Sequence, residues 1–99
     1  MSEHQHPIET NQVRHEPDRH RFVADIDGHQ CVADYRLRDG VMQMVHTGVD
    51  SSLQGRGIAA ALVDAALSHA RSAGLRVDPV CSYVRVYMDR HPQTRDLLA

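Results

Sequence analysis

Two cysteines are all the chain contains, Cys31 and Cys81, fifty positions apart and in unlike settings. This is neither a disulfide framework nor the paired spacing of a zinc site, so both are expected as reduced thiols and no metal is expected. No run of Lys or Arg exists either. Eleven basic side chains are scattered against thirteen acidic ones, a formal charge of −2, and that balance gives no electrostatic case for nucleic acid. The apolar runs are short and interrupted, so nothing reads as a membrane span, and Met1 to His20 lacks the apolar segment of a signal peptide. A cytoplasmic protein is the expectation. At 99 residues there is room for one hydrophobic core and no more. A domain of this size buries roughly 60–65% of its unfolded surface, so its stability should respond to any ligand it binds.

Histidine, by contrast, is abundant: eight in all, with His4, His6, His15 and His20 in the first twenty positions. A polar, histidine-rich stretch without periodicity reads as an unpacked leader over residues 1–19, dispensable for folding, with the folded domain over 20–99. From Arg21 to Ile26 apolar residues recur at period two, and Asp27-Gly28 then supplies hairpin-turn chemistry. Cys31, Ala33, Tyr35 and Leu37 form one face of a second strand, which Asp39-Gly40 ends. Val41 to Val49 is a third, with Met42 and Met44 in the core. Between Arg56 and Ala73 the period becomes helical, with Ile58, Leu62, Ala65, Ala66, His69 and Ala73 on or beside one face and Gly74 as stop. Leu75 to Val80 is a short returning strand, and Ser82 to His91 a second helix that Pro92 closes. The order is β-β-β-α-β-α, an α+β domain.

The segment Gln54-Gly55-Arg56-Gly57-Ile58-Ala59 lies where the third strand passes into the long helix. Glycine admits a ligand close to the backbone, and the first N–H groups of a helix lack internal partners and carry partial positive charge. A pyrophosphate suits such a place. Neither the Walker A Gly-Lys-Ser/Thr nor the dinucleotide Gly-x-Gly-x-x-Gly is present, which excludes those two readings. The remaining alternative is a glycine turn without a ligand.

These six residues match the Gln/Arg-x-x-Gly-x-Gly/Ala signature of the GNAT acetyltransferases. With His46-Thr47, the Ala-rich helix, Gly74-Leu75-Arg76-Val77, Pro79-Val80-Cys81, Tyr87 and Arg90-His91-Pro92, the chain from Arg21 to Leu98 resembles the very small GNAT-like proteins with a YjdJ-type N-acetyltransferase domain. The resemblance implies a minimal GNAT fold and acetyl-CoA as cosubstrate. Pyrophosphate would lie on the amides of Gln54, Gly55, Arg56, Gly57, Ile58 and Ala59, and pantetheine along the strand edge at Val45, Thr47 and Val49. The chain departs from many relatives at Gly48, where they carry an acidic residue, at Cys81-Ser82-Tyr83 against Cys-Pro-Phe, and at Asp78.

Acetyl transfer to an amine needs a neutral amine, a donor for the developing oxyanion and a proton for the departing thiolate. His46 has a proton affinity suited to this exchange, and a structural hydrogen bond at the sheet end is the competing reading. Cys81 joins a strand to a helix N-terminus, where the dipole favours thiolate. It is either a nucleophile that exchanges one thioester for another or a small buried side chain. The resemblance points to Cys81, and also to a tyrosine on the second helix as acid. Tyr83 and Tyr87, one turn apart, are both candidates for that acid or for packing. Cys31 belongs to the core. Larger GNAT enzymes cover the acceptor with further N-terminal helices, so an open acceptor side is expected here, suited to a protein amine in a monomer or weak homodimer. A CoA-binding module without catalysis and a small interaction domain are the competing functions.

Overall fold

The computed structural model describes residues 12–99. Five strands form one sheet in the order β1-β2-β3-β4-β5: β1 at Arg14–Glu16, β2 at Arg21–Ile26, β3 at His29–Arg38, β4 at Val41–Gly48 and β5 at Arg76–Asp78. Helix α1 spans Ile58–Ala73 and α2 spans Ser82–Arg90. β1 to β4 run antiparallel, and β5 returns parallel to β4 after the α1 crossover. The two Asp-Gly pairs make the hairpin turns with positive φ at both central residues, Asp27 and Gly28, then Asp39 and Gly40. That is the geometry whose twist matches the flanking strands.

One face of the sheet carries Phe22, Ala24, Ile26, Cys31, Ala33, Tyr35, Met42, Met44 and Val77 into a single core with both helices. α1 contributes Ile58, Leu62, Val63, Ala66, Leu67 and Ala70, a stripe rotated from the expected one. His69 is only half-buried and Ala73 is exposed, because the helix rolls its larger side chains, Val63 and Leu67, onto the sheet. Full burial of each such side chain is worth about 1.5–3 kcal/mol. Leu37 is 49% exposed, since β3 overruns the helical layer. After α2, a 3-10 segment at Pro92–Leu97 buries Leu97, and Leu98 bridges to Val77 at the sheet edge.

The sheet begins earlier than composition indicates. Arg14–Glu16, inside the stretch read as leader, pairs with β2 in the register His15↔Phe22. His4 and His6 lie outside the described residues. The His15 ring stacks on Phe22 at 4.2 Å and 3°, approaches His69 of α1 at 4.4 Å, and its Nε2 shares a 2.6 Å hydrogen bond with the Tyr35 hydroxyl. His20, at φ 52, ends the intervening turn and sets its ring 5.5 Å from Tyr35. Outside this cluster, Arg14 pairs with Asp25 at 2.8 Å and Arg21 with Glu16 at 2.6 Å. Three polar residues hold a strand place through these tertiary contacts, which strand periodicity does not encode.

Burial, and secondly the nearby His69, hold the His15 proton affinity below its ordinary value of 6.5. A group depressed in the fold favours the native state fully above its unfolded pKa, and that stability is lost as pH falls through and below about 6.5. The urea midpoint should therefore drop between pH 7.5 and pH 5.5, and His15→Phe should flatten part of that drop. An identical pH profile in the variant would show that His15 is not a pH-sensitive anchor of β1.

Candidate functional site

β4 and β5 pair only from Val41↔Arg76 to Gln43↔Asp78. Beyond that point the chain after β5 turns at Pro79, and the last tie is the Cys81 N–H donating to the Met44 carbonyl at 2.8 Å. The distal half of β4 is thus unpaired on its β5 side. A bulge reshapes the same stretch: Asp34 faces His46 and Tyr35 faces Met44, so Val45 is an extra residue. A one-residue insertion exchanges the faces of everything after it. Thr47 consequently sits opposite core residue Ala33, on the helical side, and His46 opposite Asp34, on the other side.

Between the end of β4 and the start of α1 lies a cleft of about 310 Å³. Thr47 and Val49 form one wall, and Gln54, Gly55, Gly57, Ile58 and Ala59 the other. Leu53 closes the base, while Ala60 and Tyr83 complete the rim. Asp50 caps the 3-10 turn at Ser51–Leu53 by accepting from the Ser52 N–H at 2.9 Å. Gly55 and Gly57 have φ of 83 and 76, and a Cβ at either would project into open space. Gly57 is the N-cap of α1, with no side-chain cap and no acidic residue in the first turn. The helix therefore presents uncapped N–H groups and the positive end of its dipole at the cleft wall.

Cys81 caps α2 from the opposite side, and its Sγ lies 3.7 Å from the Thr47 hydroxyl. Burial pushes the thiol up, but the backbone N–H of Val84, the Thr47 hydroxyl and the N–H groups of Tyr83 and Thr47 outweigh it, leaving the thiol below its ordinary value. The sulfur makes no formal cap hydrogen bond, so the α2 amides act on it as dipoles rather than as close donors. Cys31 is fully buried, and burial pushes it up. A limiting thiol reagent should therefore modify Cys81 well before Cys31, read by peptide mass. Equal labelling of the native fold would contradict this arrangement.

Of the residues singled out from sequence, the cleft gathers Thr47, Val49, Gln54, Gly55, Gly57, Ile58 and Ala59, with Cys81 adjoining through Thr47. Arg56 instead ties the loop to the β2–β3 turn through a 2.7 Å ion pair with Asp27. Val45 is the half-buried bulge residue. His46 is exposed beside Gly48, where an added Cβ would meet its Nε2 at 3.0 Å. Tyr87 lies outside the cleft, stacked on His91 at 3.9 Å. Burial, and then Asp64, push its phenol up. Tyr83 is the tyrosine that borders the cleft, so one helical turn separates the cleft-lining ring from the other. Leu53 and Ala60 carried no signal in the sequence beyond their position next to the glycine loop.

A sheet whose parallel pair parts beside a helix N-terminus defines the GNAT class of acyltransferase fold. Residues 21–97 match the family model described as GCN5-related N-acetyl-transferase, and the chain belongs to that family. The NMR solution structure of a GCN5-like protein from Staphylococcus aureus is similar in fold. It has a TM-score of 0.71 and 22% identity, over 93% of this chain and 91% of that one.

Proposed function

We propose that the cleft binds acetyl-CoA and that the protein transfers its acetyl group to a primary amine, such as a lysine on another protein. The observation that carries this reading is a cleft that has an uncapped, glycine-lined helix start on one wall and, behind Thr47 on the other, a thiol 3.7 Å from the Thr47 hydroxyl. The amides of Gly57, Ile58 and Ala59 would hold the pyrophosphate. Thr47 and Val49 would flank the pantetheine along the unpaired edge of β4, which offers backbone groups to its amides. Bound acetyl-CoA supplies an activated acyl group.

In this reading Cys81 receives that group. Its thiolate adds to the thioester carbonyl carbon, the bond from that carbon to the CoA sulfur breaks, and CoA leaves with the electron pair and takes up a proton. A neutral amine then attacks the acetyl on Cys81, loses its proton to solvent, and the thiolate is restored. Exchange of one thioester for another is nearly isoenergetic, so the step needs no base at Gly48. The Thr47 hydroxyl and the start of α2 favour the thiolate Cys81 needs. His46 faces away from this cleft and Tyr87 lies in a separate groove, which favours the Cys81 route over direct transfer using those groups.

CoA at about a hundred times its Kd should stabilise the fold by ~2.7 kcal/mol, because its contacts exist only in the native state. For a domain of this size that raises the melting temperature by roughly 10 °C or more. No shift at millimolar CoA would defeat the assignment. Free CoA released only when an amine is supplied distinguishes an enzyme from a CoA-binding module.

A further inference from the structure

Few contacts hold β1 at the edge of the sheet. Its three residues pair only with Arg21, Phe22 and Val23 of β2. The ion pair of Arg14 with Asp25 joins two half-exposed side chains and adds little. The main ties are Glu16 on Arg21 and the docked ring of His15. The turn that follows, Pro17–Arg19, ends at His20 in the left-handed region at φ 52, a conformation that a β-carbon disfavours. From His20 onward the chain is secured to β3, since the Tyr35 N–H donates to the His20 carbonyl at 2.9 Å. β1 can therefore leave as a unit that swings at Pro17–Arg19 while the rest of the sheet stays paired.

The surroundings of His15 suit a neutral ring. Alternation along β1 sends Arg14 and Glu16 to the outer face, where Asp25 and Arg21 engage them. On the helical face His15 meets Phe22 from β2, Tyr35 from β3 and His69 from α1, and His20 also lies against Tyr35. The other charged residues of α1, Asp64 and Arg71, are engaged with Tyr87 and Asp96. Asp34 and Arg36 of β3 point to the outer face, and Asp18 and Arg19 of the turn are exposed. No carboxylate therefore faces His15 among the described residues. A neutral His15 accepts the Tyr35 hydroxyl proton at Nε2 over 2.6 Å. A proton on that nitrogen removes the acceptor and sets a charge beside His69. We propose that β1 is a pH-sensitive strap: with His15 neutral it closes the edge of the sheet, and with His15 protonated it releases locally while the rest of the fold persists. Phe22 and Tyr35 are 3% and 4% exposed with β1 in place. Release uncovers these rings and leaves the backbone groups of β2 unpaired, the kind of edge that recruits another strand. Burial and His69 hold the His15 proton affinity below 6.5 while β1 is docked, and release restores the ordinary value, so release is favoured as pH falls through and below about 6.5.

Amide hydrogen exchange of the full chain at pH 7.5 and pH 5.5, corrected for the intrinsic pH dependence of exchange, tests this. Protection over residues 14–16 and 21–23, the β1–β2 pair, should fall on the order of 3-fold or more at the lower pH. Protection over α1 and over the β3–β4 pair should change less. His15→Phe keeps an aromatic stack on Phe22 and cannot take up a proton, so its protection should stay level between the two pH values. His69→Leu removes the neighbouring imidazole; it should lessen the fall, and it gives the same test if His15→Phe does not fold. Equal protection of the natural chain at both pH values, a fall shared evenly by every element, or an undiminished fall in the variants would overturn the proposal.

Discussion

Cys81→Ser should bind acetyl-CoA as the natural chain does and lose acetyl transfer by a factor of roughly 10² or more. Serine preserves the shape of the α2 cap, so the fold and the cleft stay intact. Its hydroxyl has no strong base within the site, and helix amides that stabilise a thiolate cannot ionise an alcohol at neutral pH. The natural chain contains no lysine, so an acetyl group retained after incubation with acetyl-CoA has no internal ε-amine to occupy. Its location at Cys81 by peptide mass would be direct evidence for the covalent step. Unchanged turnover in Cys81→Ser would make the thiol structural and leave direct attack by the amine, with water as base.

Gly57→Leu should abolish the CoA-induced rise in melting temperature while leaving a folded apo domain. At φ 76 an L-residue is strained, at a cost of about 1–2 kcal/mol, and α1 still keeps its buried stripe from Ile58 to Ala70. The larger consequence is local: relief of the strain turns the first amides of α1, and the leucine occupies the wall where the ligand must approach. Circular dichroism and thermal shift measured together separate the two effects. A Gly57→Leu protein that keeps the full shift would mean that the phosphates lie elsewhere and that the loop is only a turn.

Much of the frame is legible in the amino-acid sequence because its determinants are local. Asp27-Gly28 and Asp39-Gly40 make their turns with backbone conformations that few other pairs adopt readily. The 3.6-residue pattern after Gly57 and the stop at Gly74 locate α1, and Cys81 follows from the end of a short strand. Three features are not legible there, for one shared reason. β1 is three polar residues that become a strand only against β2, with His15 docked on Phe22, Tyr35 and His69. The Val45 bulge depends on how β3 and β4 align across the hairpin. The turn of α2 that places Tyr83 rather than Tyr87 at the cleft depends on how that helix rolls against α1.

By itself the sequence determined an α+β domain, the order of its main elements and the glycine loop at the start of α1, because turn chemistry, periodicity and helix termination act over a few neighbouring residues. Tertiary structure alone decided which side chains meet. Strict alternation along β4 would send His46 to the same face as Met42 and Met44, and one inserted residue sends Thr47 there instead, within 3.7 Å of a cysteine thirty-four positions away. A strand fixes its side-chain period, but its register belongs to the pair of strands, and a bulge is settled only where the two are packed together.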